Sequence, residues 1–499
     1  MMGEFDLLII GAGPAGMSAA VAAAGMGLRV AVVDEQPAVG GQVFRAIESA
    51  GADPALRGAH ADAGRKLAAQ FHGSRGIQYF PRSTVWHIEL AASGGDVSDP
   101  AVLSVLRDDV SQECTARRVL LATGGQERPM PVPGWTLPGV MTAGAAQILL
   151  KTAGAVPHGP TVIAGQGPLC WLVAVQLLRA GAKEVHFVET TPAGRIARAC
   201  LAGGWWRGLP LLREGLGLMR EARRRGLKVL RHAGGLRILG DEQVAGLSWE
   251  GGEIACRTVL LHDGVIPSTH ISRALGLAHR WHEAQRYWAP AIDAWGAASH
   301  PQVAIAGDGG GAGGWQAAVA QGALAALDAA HRLGAIEAAQ RDARASAPLK
   351  ALSRALALRP FLDRLYAPLE HAAAELADDT VVCRCEEVTA GQIRAAVKLG
   401  AAGPNQIKAF LRAGMGPCQG RMCGTTVAAL IAAERDVPAE EVDPLRPRAP
   451  FKPLTVGALI GQPAKSGRLH ASDPIREELG HRDRAQCAAS RHAMNSSCP

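Results

Sequence analysis

The chain opens on a short apolar run, Asp6-Leu-Leu-Ile-Ile10, followed by the glycine turn Gly11-Ala-Gly-Pro-Ala-Gly16. A stretch of small residues at helical spacing (17–27) and a second apolar run (28–33) come next. Apolar run, glycine turn, helical stretch and apolar run is the order of a βαβ unit. The same order returns at Thr161-Val-Ile-Ala: the turn is Gly165-Gln-Gly-Pro-Leu-Cys170, the helix spans 171–180, and a strand over 185–188 ends at Glu189. Two such units about 150 residues apart predict an α/β protein with two nested Rossmann-like dinucleotide-binding domains. Late strands are expected at 258–263 and 303–308, and a helix within 309–327 that opens on glycines. Residues 328–378 are rich in Ala, Arg and Leu and read as helical; 379–445 form a cysteine-bearing module; 461–499 are polar without periodicity and are expected to be disordered.

At 499 residues the length suits about three domains. Gly supplies 60 residues and charged positions only 19%, the balance of an α/β fold with tight turns rather than a disordered chain. The formal charge is +7, but arginines are scattered and aromatics reach only 4%, so a solvated basic surface is expected and no nucleic-acid partner. Gly, Pro or charge interrupts every apolar run well short of the about 18 residues of a transmembrane segment. The apolar start runs straight into glycines without a basic leader, and a cytoplasmic, thiol-reducing location is expected.

The first turn has a specific chemical reading. Gly11 permits the tight turn, Gly13 lets the backbone approach a pyrophosphate, and Gly16 lets the helix pack on the strand. Pro14 and Ala15 complete the turn, and the helix N-terminus offers free N–H groups to phosphate. Asp34, with 17 residues between it and Gly16 and with Glu35 beside it, stands where a carboxylate accepts hydrogen bonds from ribose hydroxyls. In the second turn Cys170 replaces the third glycine, so looser packing of helix on strand is expected there. Gly165 and Gly167 remain as nucleotide candidates, with Glu189 for a ribose and Arg195 for a phosphate. An NAD(P), another nucleotide such as an adenine nucleotide, and an emptied scaffold all stay open for that site.

The cysteine module carries the second signal. Cys383-Arg-Cys385 is followed, 32 residues on, by Cys418-Gln-Gly-Arg-Met-Cys423. Four thiolates in two close pairs suit a 2Fe–2S cluster, each pair holding one iron. Zinc also takes four thiolates, but its structural pairs are usually spaced by two to four residues. Thr389 and Gln392 predict a capping box opening a helix through Lys398; a second helix is expected over 405–412 and a third over 425–433, its N-terminus at Cys423. Arg384, Arg412 and Arg421 are candidates to offset the cluster's negative charge. Cys114, Cys200 and Cys256 stand alone, so no dithiol relay is expected beside a flavin. His186, His262, His270 and His282 are scattered and read as packed or solvated. Trp205-Trp206 reads as an interface or core aromatic pair, with core favoured.

Several segments resemble known flavoproteins. Gly40-Gly41-Gln42, Leu121-Ala-Thr123-Gly124 and Val303-Ala-Ile-Ala-Gly307-Asp308 are similar to the FAD-contacting segments of the glutathione-reductase superfamily. That likeness implies FAD at the first turn, with the FAD domain formed by 1–150 and 255–330, the second nucleotide domain by 151–254, and a helical linker by 331–378. With Cys383-Arg-Cys-Glu-Glu-Val-Thr389 and Gly414-Met-Gly-Pro-Cys-Gln-Gly-Arg-Met-Cys423, the chain resembles the α subunits of heteromeric amine and imino-acid dehydrogenases, nearly throughout to about residue 460. Members include opine oxidases, hydroxyproline and proline dehydrogenases and the middle subunit of hydrogen cyanide synthase. The module resembles the bacterioferritin-associated-ferredoxin fold. The resemblance implies an electron-transferring subunit that carries FAD and a 2Fe–2S cluster. It implies a partner β subunit, similar to D-amino-acid oxidase, that oxidises the C–N bond of an amino or imino acid. A small γ subunit, a separate electron acceptor, and a second nucleotide or FMN at a subunit interface belong to the same picture. The rival reading is a self-contained NAD(P)H-dependent flavin/iron–sulfur reductase.

Overall fold

The computed structural model describes residues 2–49, 60–91, 99–369 and 372–460. The tail at 461–499, with Cys487 and Cys498, lies outside them. A short helix, Val456–Ile460, belongs to a separate unit beginning at Thr455. Every other element among the described residues belongs to the unit that ends at Leu454.

The first sheet runs in the order Ile77–Phe80, Val30–Val33, Glu4–Ile10, Val110–Leu121, Ala101–Arg107, Ser83–Glu89. The first four strands are parallel and the last two form an antiparallel extension. The long strand Val110–Leu121 serves both: its first half pairs with Ala101–Arg107, its end with Val303–Ile305. Period-two alternation divides the sheet's apolar residues between two cores. Leu7, Ile9, Val30, Val32 and Leu120 join one. Phe5, Leu8, Ile10, Ala31, Val33, Val119 and Leu121 join the other.

The second sheet is wholly parallel, in the order Lys228–Arg231, Val185–Glu189, Thr161–Gln166, Thr258–Asp263, Val140–Thr142. Both joins expected between the nucleotide domains therefore shift, because Val140–Thr142 and Thr258–Asp263 hydrogen-bond into this sheet. The chain passes between the sheets along the antiparallel pair Gly125–Glu127 and Val265–Pro267.

Several boundaries move for local reasons. The first helix is Pro14–Ala24 rather than 17–27, since proline at the first helical position arrives with a suitable φ and lacks an N–H the helix cannot use there. The strand expected to reach Asp308 stops at Ile305; Gly307, at φ +78°, turns the chain into a short 3-10 segment, and the alanine-rich helix begins at Trp315. The linker forms helices Ala338–Leu356 and Arg359–Leu365, then leaves helical geometry before Pro368. Trp205 packs with Leu358, Phe361 and Leu365, but Trp206 is 55% exposed, so the tryptophan pair is not a core pair.

The cysteine module keeps its expected helices. Thr389 and Gln392 form the reciprocal capping box of helix Ala390–Lys398; Pro404–Leu411 and Gly424–Arg435 follow, the last with Cys423 as its N-cap residue. Val382, Ile393, Ile407, Leu430 and Ile431 make a core of its own.

Candidate functional site

Gly11 has φ +107°, and a Cβ there would lie 2.5 Å from the Ala122 carbonyl oxygen. A Cβ on Gly16 would lie 1.8 Å from the Gly11 oxygen, inside any allowed contact. These two glycines are required by the fold itself. Gly13 and Gly41 meet backbone to backbone: a Cβ on Gly41, at φ +59°, would stand 2.9 Å from Gly13 Cα. The helix Pro14–Ala24 has no side-chain cap over its N-terminus, which leaves its first N–H groups for a phosphate.

The late segment closes on this turn. A Cβ on Gly307 would touch Ala15 Cβ at 3.0 Å, and one on Gly309 would lie 3.4 Å from Thr123 Oγ1 and 3.6 Å from Gly124 N. Asp308 accepts from the N–H groups of Gly313 and Gly314 at 2.9 and 3.1 Å, fixing the glycine run before the helix Trp315–Arg332. Lys151 donates to the carbonyl oxygens of Gln42 and Val43 at 3.3 and 3.0 Å. Gln42 Oε1 also accepts from Arg45 at 3.2 Å. The structure thus gathers Gly11, Gly13, Pro14, Ala15, Gly16, Gly41, Gln42, Thr123, Gly124, Gly307 and Asp308 around one turn.

Asp34 and Glu35 are placed differently from their neighbours. The two oxygens of Asp34 accept from Ala12 N at 2.5 Å and Gln36 N at 2.7 Å, so its carboxylate already ties the glycine turn to the strand end. Burial pushes its pKa up, against the pull of those two N–H groups and of Arg45. Each oxygen keeps a lone pair for a ribose hydroxyl. Glu35 faces outward to Lys452 at 3.1 Å.

At the second fingerprint Gly165 has φ +139° and Gly167 +106°; a Cβ on Gly165 would meet the His262 oxygen at 1.8 Å. Cys170 is fully buried and its thiol donates to the Gln166 oxygen at 3.6 Å, so the helix Pro168–Arg179 packs closely despite the missing glycine. His262 is bonded to Glu127 at 2.7 Å, a buried pair rather than a solvated residue. The linker reaches this site: Gln166 Nε2 donates to the Ala367 oxygen at 3.1 Å, and Arg195 donates to the same oxygen. Glu189 is buried beside Arg231 at 3.5 Å, and that burial pushes its carboxyl up.

The four cysteines converge. Cys383 pairs with Cys423, and Cys385 with Cys418, each pair within thiol hydrogen-bond reach. Cys423 interacts with each of the other three thiols, and Cys385 with both Cys418 and Cys383, so the four stand together as one set. Cys383 accepts from Cys423 and from the N–H groups of Gly414, Glu386 and Cys385, which together hold its thiol low. A Cβ on Gly416 would lie 2.1 Å from Cys385 Cβ, so the loop can wrap the sulfurs only with glycine there. Cys383 and Cys423 are buried; Cys385 is exposed. Arg421 donates back to the Cys418 oxygen at 3.2 Å, Arg412 pairs with Glu386 at 2.9 Å, and the Arg384 guanidinium lies 5.3 Å from the centre of the Trp135 ring.

Two contacts gave no signal in the sequence. Gln126 Nε2 donates to the Arg421 oxygen at 2.8 Å, and Trp135 Nε1 donates to the Val381 oxygen at 2.6 Å. Both fasten the cysteine module to the nucleotide-binding part, and neither residue belongs to a periodic pattern or a motif.

Fold and site together define an FAD-dependent oxidoreductase with its own 2Fe–2S cluster. Residues 5–201 match the pyridine nucleotide-disulphide oxidoreductase family, and residues 381–433 the BFD-like [2Fe-2S] binding domain. The chain belongs to a family shared by opine oxidase subunits and the hydrogen cyanide synthase subunit HcnB. It is 40% identical to an opine oxidase subunit of Agrobacterium tumefaciens, over 96% of this chain and 97% of that protein. It is 33% identical to subunit HcnB of Pseudomonas aeruginosa, over 90% of this chain and 97% of that one. Among solved structures, L-proline dehydrogenase from P. horikoshii shares the fold, with a TM-score of 0.64 at 18% identity over 91% of this chain and 79% of that chain. These relatives include named subunits of larger enzymes. Among the described residues no helix is long and apolar enough to cross a membrane.

Proposed function

We propose that this chain is the electron-transferring subunit of a heteromeric dehydrogenase that oxidises the C–N bond of an amino or imino acid of the hydroxyproline, proline or opine class. The observation that carries this reading is the direct fastening, in one body, of the flavin-domain strand Gly125–Glu127 to the four-cysteine loop through Gln126. A cluster so placed takes electrons one at a time, a step an amine oxidation confined to one flavin does not need. FAD supplies two-electron chemistry when bound, and the cluster one-electron chemistry.

In this reading Gly11, Gly13 and the N-terminus of the helix Pro14–Ala24 receive the FAD pyrophosphate. Asp34 receives the adenosine ribose while holding Ala12 in place, and Asp308 lies along the ribityl chain. Gly41 and Thr123–Gly124 leave room for the cofactor's backbone contacts. Cys383, Cys385, Cys418 and Cys423 hold the cluster, with the helix starting at Gly424 directing its positive end toward it. The substrate site then lies on a partner subunit related to D-amino-acid oxidase, and the acceptor docks elsewhere.

The NAD(P)H-reductase reading gains no support from the second fingerprint. Gln166 and Arg195 both donate to the linker's Ala367 carbonyl, and Glu189 faces Arg231, so the groups that would meet a nucleotide are engaged by the chain itself. The test is to purify the chain with whatever co-purifies and assay dye reduction with proline, hydroxyproline, opines and glycine, and with NADH and NADPH. Reduction by one of the imino acids or opines supports the proposal. Reduction by NADH or NADPH alone contradicts it.

A further inference from the structure

Gln126, two residues beyond Gly124, reaches the cluster loop from the middle of the strand Gly125–Glu127. Thr123 and Gly124 belong to the turn; Gly125 packs so closely on Asp308 that a Cβ on it would lie 3.3 Å from Asp308 Cβ. Gln126 is next. Its backbone is held in register opposite Ile266, and Gly124 is fixed by a hydrogen bond from Ser268 N at 3.0 Å. Its side-chain amide donates at 2.8 Å to the carbonyl of Arg421, midway between Cys418 and Cys423. That carbonyl is itself immobilised. Arg421 N donates to the Cys418 oxygen at 3.1 Å, and its guanidinium donates to the Phe451 oxygen at 2.6 Å.

Beside this contact is a cavity of about 490 Å³ lined by Gln126, His270, Gln419, Gly420, Arg421 and Thr425. Electron tunnelling decays far more steeply across open space than along covalent and hydrogen bonds. At this contact the bonded crossing couples more strongly than the gap beside it. We propose that Gln126 is the positioning residue that couples the flavin to the iron–sulfur cluster, its amide forming the hydrogen-bonded bridge into the Cys418–Cys423 loop. This rests on FAD occupying the first fingerprint and the cluster occupying the four cysteines.

The step is balanced within the chain. In the direction flavin to cluster, one electron leaves the reduced flavin, one ferric iron becomes ferrous, and a flavin proton passes to solvent. The reverse direction reverses each change. Gln126 takes no electron or proton itself.

The test uses the full chain with both cofactors. The flavin is reduced photochemically under anaerobic conditions, and the reduced cluster is followed by freeze-quench EPR. In Gln126→Leu, which keeps the side chain's size but loses the donor, equilibration should slow several-fold. Flavin content, iron content and both midpoint potentials should stay unchanged. Gln126→Asn, whose arm is one methylene shorter, should slow it as well, and it serves if the leucine variant does not fold. Trp135→Phe removes the other docking bond, to Val381, and should leave the rate near that of the unmodified chain. An unchanged rate in both Gln126 variants overturns the proposal. So does a slowing accompanied by loss of hydrogen-exchange protection across Val381–Cys383, which would make Gln126 a docking contact only. Absence of FAD or iron in the unmodified chain is a different result, and it would refute the cofactor placement beneath the proposal.

Discussion

Asp34 already holds a loop, and the FAD reading asks it to hold a ligand as well. Its carboxylate accepts two backbone N–H bonds, from Ala12 and Gln36, before any ribose arrives. Asp34→Ala should therefore cost the ribose bond and loosen the turn. A charge-assisted hydrogen bond is worth roughly 1.5–3 kcal/mol, so FAD affinity should fall about tenfold or more. Asp34→Asn keeps one acceptor oxygen and should lose less. Titration of the apoprotein with FAD, followed by flavin fluorescence, measures both; equal affinities in all three chains would contradict this role. At the cluster, Cys385 is the most open of the four thiols and pairs with Cys418. Cys385→Ser should lose most of the cluster absorbance and leave the flavin bound. The unmodified chain, purified anaerobically, should contain about two irons and two acid-labile sulfides; zinc in their place would contradict the assignment.

At the scale of elements, much was legible because motif and periodicity coincide. Each glycine turn sits between an apolar run and a helix, and the capping box at Thr389 announces its own helix. The rest depends on contacts between distant segments. Nothing near residue 150 or 255 says that Val140–Thr142 and Thr258–Asp263 share a sheet, because strand membership is decided by pairing across the chain. Gly322 lies inside the helix Trp315–Arg332, where a glycine costs about 1 kcal/mol relative to alanine and asks for a reason. The reason is contact between helices, since a Cβ there would lie 2.2 Å from the Ala15 oxygen. Gly322→Ala should force the helix Trp315–Arg332 off the helix Pro14–Ala24 and cost about 1–3 kcal/mol. A thermal melt with no fall in Tm would contradict that packing.

The short helix His270–Ala274 and the strand after it carry a pH dependence. Burial pushes both His270 and His279 down to about 4 from an ordinary 6.5, helped by Arg421 beside His270 and Arg273 beside His279. Across that window the unfolded chain binds more protons than the folded one, so this contribution to stability is present above pH 6.5 and is lost as the pH falls toward 4. Tm should drop between pH 7 and pH 5, and in His279→Gln it should drop by less. An identical slope in the variant would remove His279 as a source of the effect.

Across the whole molecule, the two nucleotide folds differ in what lies against their glycine turns. Both leave the helix N-terminus without a side-chain cap, and the first gathers four glycine-bearing segments around it. The second keeps the glycine geometry, yet its polar groups hold the chain's own linker at Ala367. The cysteine module is fastened to the nucleotide-binding part by hydrogen bonds from Gln126 and Trp135. An amine carbon must meet the flavin in a closed, dry pocket with reacting atoms about 3–3.5 Å apart, and the relay role proposed above would put that pocket on a partner subunit. Anaerobic stopped-flow mixing of the pure single chain with proline, hydroxyproline, opines and glycine tests this most directly. A relay chain should show negligible flavin reduction alone, and reduction once a partner related to D-amino-acid oxidase is added. Fast, saturable bleaching of the flavin in the single chain would place the catalytic site here and contradict the relay role.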